Sequence, residues 1–182
     1  MVMMINITYA GKVSGRQYPV DNVFELLLNQ DEKIGLNVYS NNTKWNNRAN
    51  IKWGKFNFNA NKYVSKDKLY SIYNNSSAFV VVMGNECKCF DMIIPSKLSE
   101  LSKFNKPILL FGPDNSQVSA IADKLGIVWF FNIQNPDLNG LTDFFSKVKN
   151  SKDFIELNNY KEVFQSRFTI NNQYEELIKN IL

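Results

Sequence analysis

Apolar residues recur along this chain in two alternating rhythms, one with the period of a strand and one with the period of a helix. Ile5 to Ala10 alternates and stops at Gly11, the pattern of a first strand followed by a loop over residues 12–19. Asp21 is placed to cap a helix whose Val23, Phe24, Leu27 and Leu28 share one face, and the β-type run Ile34 to Tyr39 follows, ending in the polar cluster Ser40 to Thr43. A third short strand is expected over Ile51 to Phe56, and Ser65 is placed to cap a helix carrying Leu69, Ile72 and Tyr73 at helical spacing.

The second half keeps the alternation. The runs 78–83 and 106–112 are apolar on both faces, which suits central parallel strands covered by helices, and a helix starting near Ser96 lies between them. Val118, Ile121, Ala122 and Leu125 make an i, i+3, i+4, i+7 face that stops at Gly126, and Ile127 to Phe131 is a further apolar strand. Leu141, Phe144, Phe145 and Val148 repeat the helical face, and Tyr174, Leu177, Ile178 and Ile181 form a last one after a cap at Thr169. Strands alternating with helices imply an α/β fold with a doubly wound parallel sheet, a Rossmann-like domain over residues 1–182. Such sheets bind ligands beyond the C-terminal ends of their strands, here the loops after Ala10, Phe56, Met83 and Phe111.

Composition narrows the function classes. With 182 residues, 45% of them hydrophobic, the chain can bury one good core. The formal charge of +4 comes from 21 basic and 17 acidic residues that are scattered rather than gathered into a stripe, so no nucleic-acid groove is indicated, while a small anionic ligand fits. No run approaches the ~20 apolar residues of a membrane span, and residues 1–10 lack a charged n-region and a cleavage site, so a cytoplasmic location is expected. Cys87 and Cys89 stand alone in a chain without histidine, which removes the usual metal sites and the Ser-His and Cys-His nucleophile arrangements. Carboxylates, lysines, arginines and backbone amides are left to carry any chemistry. Neither a Gly-x-Gly-x-x-Gly fingerprint nor a phosphate-loop Gly-Lys-Ser/Thr occurs, against nicotinamide and ATP readings.

The stretch Ile93 to Ser116, IIPSKLSELSKFNKPILLFGPDNS, carries the most information. It resembles the C-terminal domain of GT-B-fold glycosyltransferases, notably glycosyltransferase family 4, in which a Ser-Lys-Leu-x-Glu helix precedes a Gly-Lys-Pro-hydrophobic strand. The likeness extends in order through Tyr9-Ala10-Gly11-Lys12 at the first strand, the 64–70 helix start before Ser77-Ala78-Phe79-Val80, the helix 115–125 and the entry to the last helix at Phe168-Thr169. It covers most of residues 5–182 and leaves no counterpart for the family's N-terminal acceptor-binding domain, so an acceptor-binding domain or subunit is the expected partner.

The resemblance implies a donor site for a nucleotide diphosphate sugar, UDP- or GDP-linked, in a retaining enzyme that moves a hexose to a sugar, lipid or protein hydroxyl without a metal ion. Surface polysaccharide or glycoconjugate synthesis is the implied setting, with the full enzyme peripheral at the inner membrane face. Within it, the backbone amides of Ser96, Lys97 and Leu98 and the Lys97 ammonium would face the diphosphate, as uncapped helix starts favour anions. Glu100 would accept from the two ribose hydroxyls, a task that suits an acceptor-only carboxylate. Lys12 and Arg16 are the cations of the loop after the first strand, and Phe56 falls where the base would lie. The family's first motif acid falls at Met92, so Asp91 beside it, or the backbone of the 90–94 loop, would contact the sugar. Each residue also has a plainer reading: Glu100, Lys97, Lys12 and Arg16 as solvated surface charges, and Phe56 as core or rim packing.

Two other function classes fit the same pattern. The chain is alternatively a non-catalytic scaffold or subunit that binds a separate acceptor-binding protein, or an unrelated doubly wound protein of the flavodoxin-like or receiver-like sort. The last helix would pack across onto a second domain in a whole enzyme, and left uncovered it would promote homo-oligomerisation.

Overall fold

A computed structural model of the chain describes residues 4–13, 19–31, 33–84, 94–125 and 127–149. Six strands form one wholly parallel sheet: β1 (Ile5–Ala10), β2 (Ile34–Ser40), β3 (Phe58–Lys62), β4 (Ala78–Val82), β5 (Ile108–Gly112) and β6 (Val128–Asn132), in the order β3-β2-β1-β4-β5-β6. The chain winds outward from β1 to β3, then crosses back to place β4 on the other side of β1. The doubly wound Rossmann-like sheet expected from the sequence is thus the fold observed, with its topological switch point between β1 and β4.

Helices cover both faces. On one, α1 (Val20–Leu28), α2 (Thr43–Trp53) and α6 (Leu138–Lys149) bury Phe24, Leu27, Trp45, Trp53 and Phe144 against Ile5, Ile7, Val80 and Leu109. On the other, α3 (Lys66–Asn75), α4 (Ser96–Leu101) and α5 (Gln117–Leu125) bury Leu69, Tyr73, Leu98, Leu101 and Val118 against Phe79, Val81, Ile108 and Leu110. Burial on both faces explains why β4 and β5 are apolar at every position.

The strand expected over 51–56 is replaced by the end of α2. Asn42 caps that helix through its side chain, accepting from the Trp45 amide at 3.0 Å. Trp45, Ala49 and Trp53, four residues apart, are the buried stripe, whereas Ile51 is 86% exposed. The third strand starts later, at Phe58, and only Phe58 and Ala60 turn inward from it. Asp21 likewise does not cap α1. Pro19 holds the cap position, and the Asp21 carboxylate accepts from Trp45 Nε1 (2.8 Å) and Arg48 (3.0 Å), linking α1 to α2. Ser65 precedes α3 as expected, yet its hydroxyl makes no cap bond.

Lys106 closes the other end of α3. Its ammonium donates to the carbonyls of Tyr73 (3.0 Å), Asn74 (2.5 Å) and Ser76, orphan acceptors of a helix C-terminus, and burial pushes its pKa down. Lys106→Met keeps the aliphatic stem and strands those carbonyls. A loss of about 1–3 kcal/mol is expected, read as a lower urea midpoint with an unchanged slope.

The expected last helix with Thr169, Tyr174, Leu177, Ile178 and Ile181 lies outside the described residues, as do Arg16, Cys87, Cys89, Asp91 and Met92. Among the described residues no helix is long and apolar enough to cross a membrane.

Candidate functional site

The C-terminal ends of β1 and β4 diverge at the switch point and open a cleft. Gly11 leaves β1 with its amide donating to the Tyr39 carbonyl (3.1 Å), and the Tyr9 hydroxyl donates to the Lys12 carbonyl at 2.5 Å. A β-carbon on Gly11 would stand 3.0 Å from that hydroxyl, so a glycine keeps this turn tight against the sheet. The turn, the end of β4 at Val80–Met83, Tyr73 of α3 and the 94–97 segment enclose an inner compartment of about 560 Å3. A second, outer compartment of about 450 Å3 lies between α3 and α4, lined by Lys66, Tyr70, Glu100 and Lys103 among others. Tyr63, Ser96 and Lys97 line both, forming the passage between them.

Lys97 is the pivot of this passage. Its ammonium lies 2.7 Å from Glu100 Oε2, one helical turn on, and 3.4 Å from the Tyr73 hydroxyl, with the Tyr73 ring centroid at 5.8 Å. Both charged side chains are mostly covered, 29% and 25% exposed, so the pair is less screened than a surface ion pair. Burial alone would lower the Lys97 pKa, but the hydrogen bond to Glu100 and the surrounding charges outweigh it and hold the pKa above the ordinary lysine value. Tyr73 itself is 1% exposed, and burial pushes its hydroxyl up to about 12, so it stays a neutral hydrogen-bonding group at physiological pH. Rings of Phe79 (5.2 Å) and Phe104 (5.2 Å) fix it edge-on.

The residues expected from the sequence divide into three groups. Ser96, Lys97 and Glu100 come together at the passage, and Lys12 stands on the rim of the inner compartment. Leu98 does not face the cleft. Its side chain is 1% exposed in the core and its amide is spent on the Pro95 carbonyl at 2.9 Å, because α4 is a six-residue helix entered through a tight turn. The helix end therefore supplies less than expected, and the side chains of Lys97 and Glu100 dominate the local electrostatics.

Phe56 lies at the wrong end of its strand. It precedes β3, at the N-terminal edge of the sheet, and is half-buried against the first core layer with the Lys55 ammonium 5.1 Å from its ring. The residue that does follow β3 is Tyr63, 42% exposed and bordering both compartments. Arg16 and Asp91 lie outside the described residues. Tyr63 and Tyr73 are the site residues that sequence reasoning missed. Correct placement of β3 reveals the first, whereas nothing local marks the second as more than a core position.

The chain superposes on solved structures of known proteins. TarM matches with a TM-score of 0.68 at 12% identity over 97% of this chain and 35% of its own length. WaaG, a glycosyltransferase involved in lipopolysaccharide biosynthesis, matches with a TM-score of 0.61 at 13% identity over 99% of this chain and 47% of its own. The C-terminal CMP-Kdo binding domain of WaaA from Acinetobacter baumannii matches with a TM-score of 0.52 at 14% identity, over 89% of this chain and 90% of that domain. The chain therefore spans between about a third and a half of TarM and WaaG, but nearly the whole of the WaaA domain. No protein-family model matches the sequence, and no curated protein does. At these identities the likeness defines the fold: a Rossmann-like domain of the kind that forms one half of GT-B glycosyltransferases.

Proposed function

We propose that this domain binds a nucleoside diphosphate sugar and serves as the donor half of a retaining glycosyltransferase. The observation that carries the reading is the pair of compartments meeting at Lys97, one polar and bordered by Glu100, the other deeper and set at the switch point of the sheet. A nucleoside diphosphate sugar has the matching division. The nucleoside fits the outer compartment, where Glu100 accepts from the ribose hydroxyls and Tyr63 or Tyr70 offers an aromatic face. The diphosphate crosses the passage beside Lys97, and the sugar enters the inner compartment.

In transfer, the bond between the anomeric carbon and the diphosphate oxygen breaks and the acceptor hydroxyl oxygen takes its place on the same face, its proton passing to the departing diphosphate oxygen. Negative charge grows on the leaving diphosphate, and fixed cations, Lys97 and Lys12, stabilise it without a metal ion. The acceptor, a sugar, lipid or protein hydroxyl in surface polysaccharide or glycoconjugate synthesis, is held by a second domain or subunit. The superposition of nearly the whole chain on an isolated nucleotide-sugar-binding domain supports this division of labour.

Calorimetric titration with UDP, GDP and their common sugar conjugates tests the reading. Saturable binding is expected for one base, weakened on the order of tenfold by Glu100→Ala through loss of charge-assisted hydrogen bonds to the ribose. Absence of binding to every nucleotide by a folded sample would sink the proposal.

A further inference from the structure

Lys97 and Glu100 are each other's partners in a cleft where the proposed ligand needs both. Their bond of 2.7 Å joins Lys97, which among the described residues is the cation common to the two compartments, to the carboxylate of the outer one. Among the described residues Lys66 and Lys103 also line the outer compartment, yet no ion pair joins either of them to Glu100. We infer that this pair makes the cleft selective for ligands that carry a diphosphate and a ribose diol together, against free pyrophosphate and against nucleosides. The inference rests on the nucleoside diphosphate reading above and adds to it the source of its selectivity.

Each charge of the pair loses its compensation when the other is drawn away without a replacement. A free pyrophosphate that draws Lys97 away leaves a largely covered carboxylate unpaired beside a new anion, so attraction to the lysine is offset by desolvation and repulsion at Glu100. A nucleoside without phosphates occupies Glu100 and leaves the Lys97 ammonium without its counter-ion in a half-buried position. Only a ligand with both parts replaces the lost bond at each end, with two hydroxyl donors for Glu100 and phosphate oxygens for Lys97. Lys97 keeps a contact on the inner side through the Tyr73 hydroxyl, which is held in place by its own burial.

The selector has a signature that simpler roles lack. Neutralising Glu100 as Glu100→Gln frees Lys97 and removes the repulsion, so pyrophosphate binding should tighten about three- to tenfold, while nucleoside diphosphate binding weakens. A carboxylate that acts only through its charge would strengthen both ligands on neutralisation, and a merely structural residue would weaken both. The experiment is calorimetry of the full chain with inorganic pyrophosphate and with UDP and GDP, on the wild type and on Glu100→Gln, repeated with Glu100→Ala and with circular dichroism to confirm folding. Opposite signs for the two ligands are the expected result. If nucleotides bind the wild type but pyrophosphate binds the variants no better, the selector is overturned and the nucleotide site stands. If no nucleotide binds the folded wild type, both fall together.

Discussion

Phe24→Ala is expected to destabilise the domain by about 3–5 kcal/mol, the usual cost of emptying a large aromatic site in a packed core. Phe24 is fully buried at the centre of an aromatic layer, edge-on to Tyr9 (5.2 Å), Trp45 (6.0 Å) and Trp53 (6.3 Å) and tilted against Phe58 (6.4 Å). Those rings belong to β1, α2 and β3, so one side chain from α1 joins four elements. Collapse into the cavity is poorly supported, because Trp45 is pinned by its Nε1 bond to Asp21 and Tyr9 by its bond to the Lys12 carbonyl. Trp53 has no such tie: among the described residues its Nε1 is buried without a hydrogen-bond partner, and its ring is held by its aromatic neighbours and by the Lys52 ammonium 4.6 Å from its centroid. Urea unfolding of the variant checks the magnitude. Phe56→Ala, at a half-buried position on the edge of the same layer, should cost distinctly less. Because Tyr9 anchors the turn at Gly11, a fold that survives Phe24→Ala should also show a loosened Lys12 loop, visible as faster amide exchange there.

Which parts of this architecture were legible in the sequence follows from where burial leaves a periodic trace. The strands β4 and β5 were readable because a strand covered on both faces is apolar throughout, and Val80, Val81, Leu109 and Leu110 leave no other reading. The helix α2 was not, because eight of its eleven residues are other than Trp or Ala and its one aliphatic residue, Ile51, faces solvent. Ile51 with Trp53 imitated the alternation of a strand, while the informative spacing was Trp45, Ala49 and Trp53 behind the Asn42 cap. That single exchange moved the end of the third strand from Lys62 back to Phe56, and with it the residue bordering the cleft after that strand from Tyr63 to Phe56. The Leu98 amide was misjudged for a different reason: whether a helix start keeps its donors free depends on the turn that enters it, and Pro95 takes that donor here. Tyr73 was correctly read as a core position on its helix. Its second role depends on a neighbour 24 residues away, which no local pattern encodes.

Lys97→Met is expected to weaken nucleoside diphosphate binding by about ten- to a hundredfold, the equivalent of about 1.5–3 kcal/mol for charge-assisted hydrogen bonds to phosphate. Its effect should exceed that of Glu100→Ala, and the reason lies in the pairing of the two residues. Removing Glu100 forfeits the ribose contact but releases the lysine, so part of the loss is returned. Removing Lys97 forfeits the phosphate contact and also leaves Glu100, 25% exposed, as an unneutralised negative charge beside the place of the diphosphate. The double variant Lys97→Met with Glu100→Gln should therefore bind pyrophosphate better than Lys97→Met alone, although neither retains the cation. Methionine keeps the length and apolar character of the lysine stem against the Tyr73 ring, so the fold should persist with a loss of thermal stability from the unpaired Glu100 that Glu100→Gln in the double variant restores, and circular dichroism of each variant separates that loss from the loss of affinity. Affinities of the two single variants and the double variant for UDP, GDP and pyrophosphate, measured at low and at raised salt, complete the cycle. Coupling between positions 97 and 100 that persists at raised salt is expected of a partly covered pair, and strict additivity would show that the two residues act on the ligand independently.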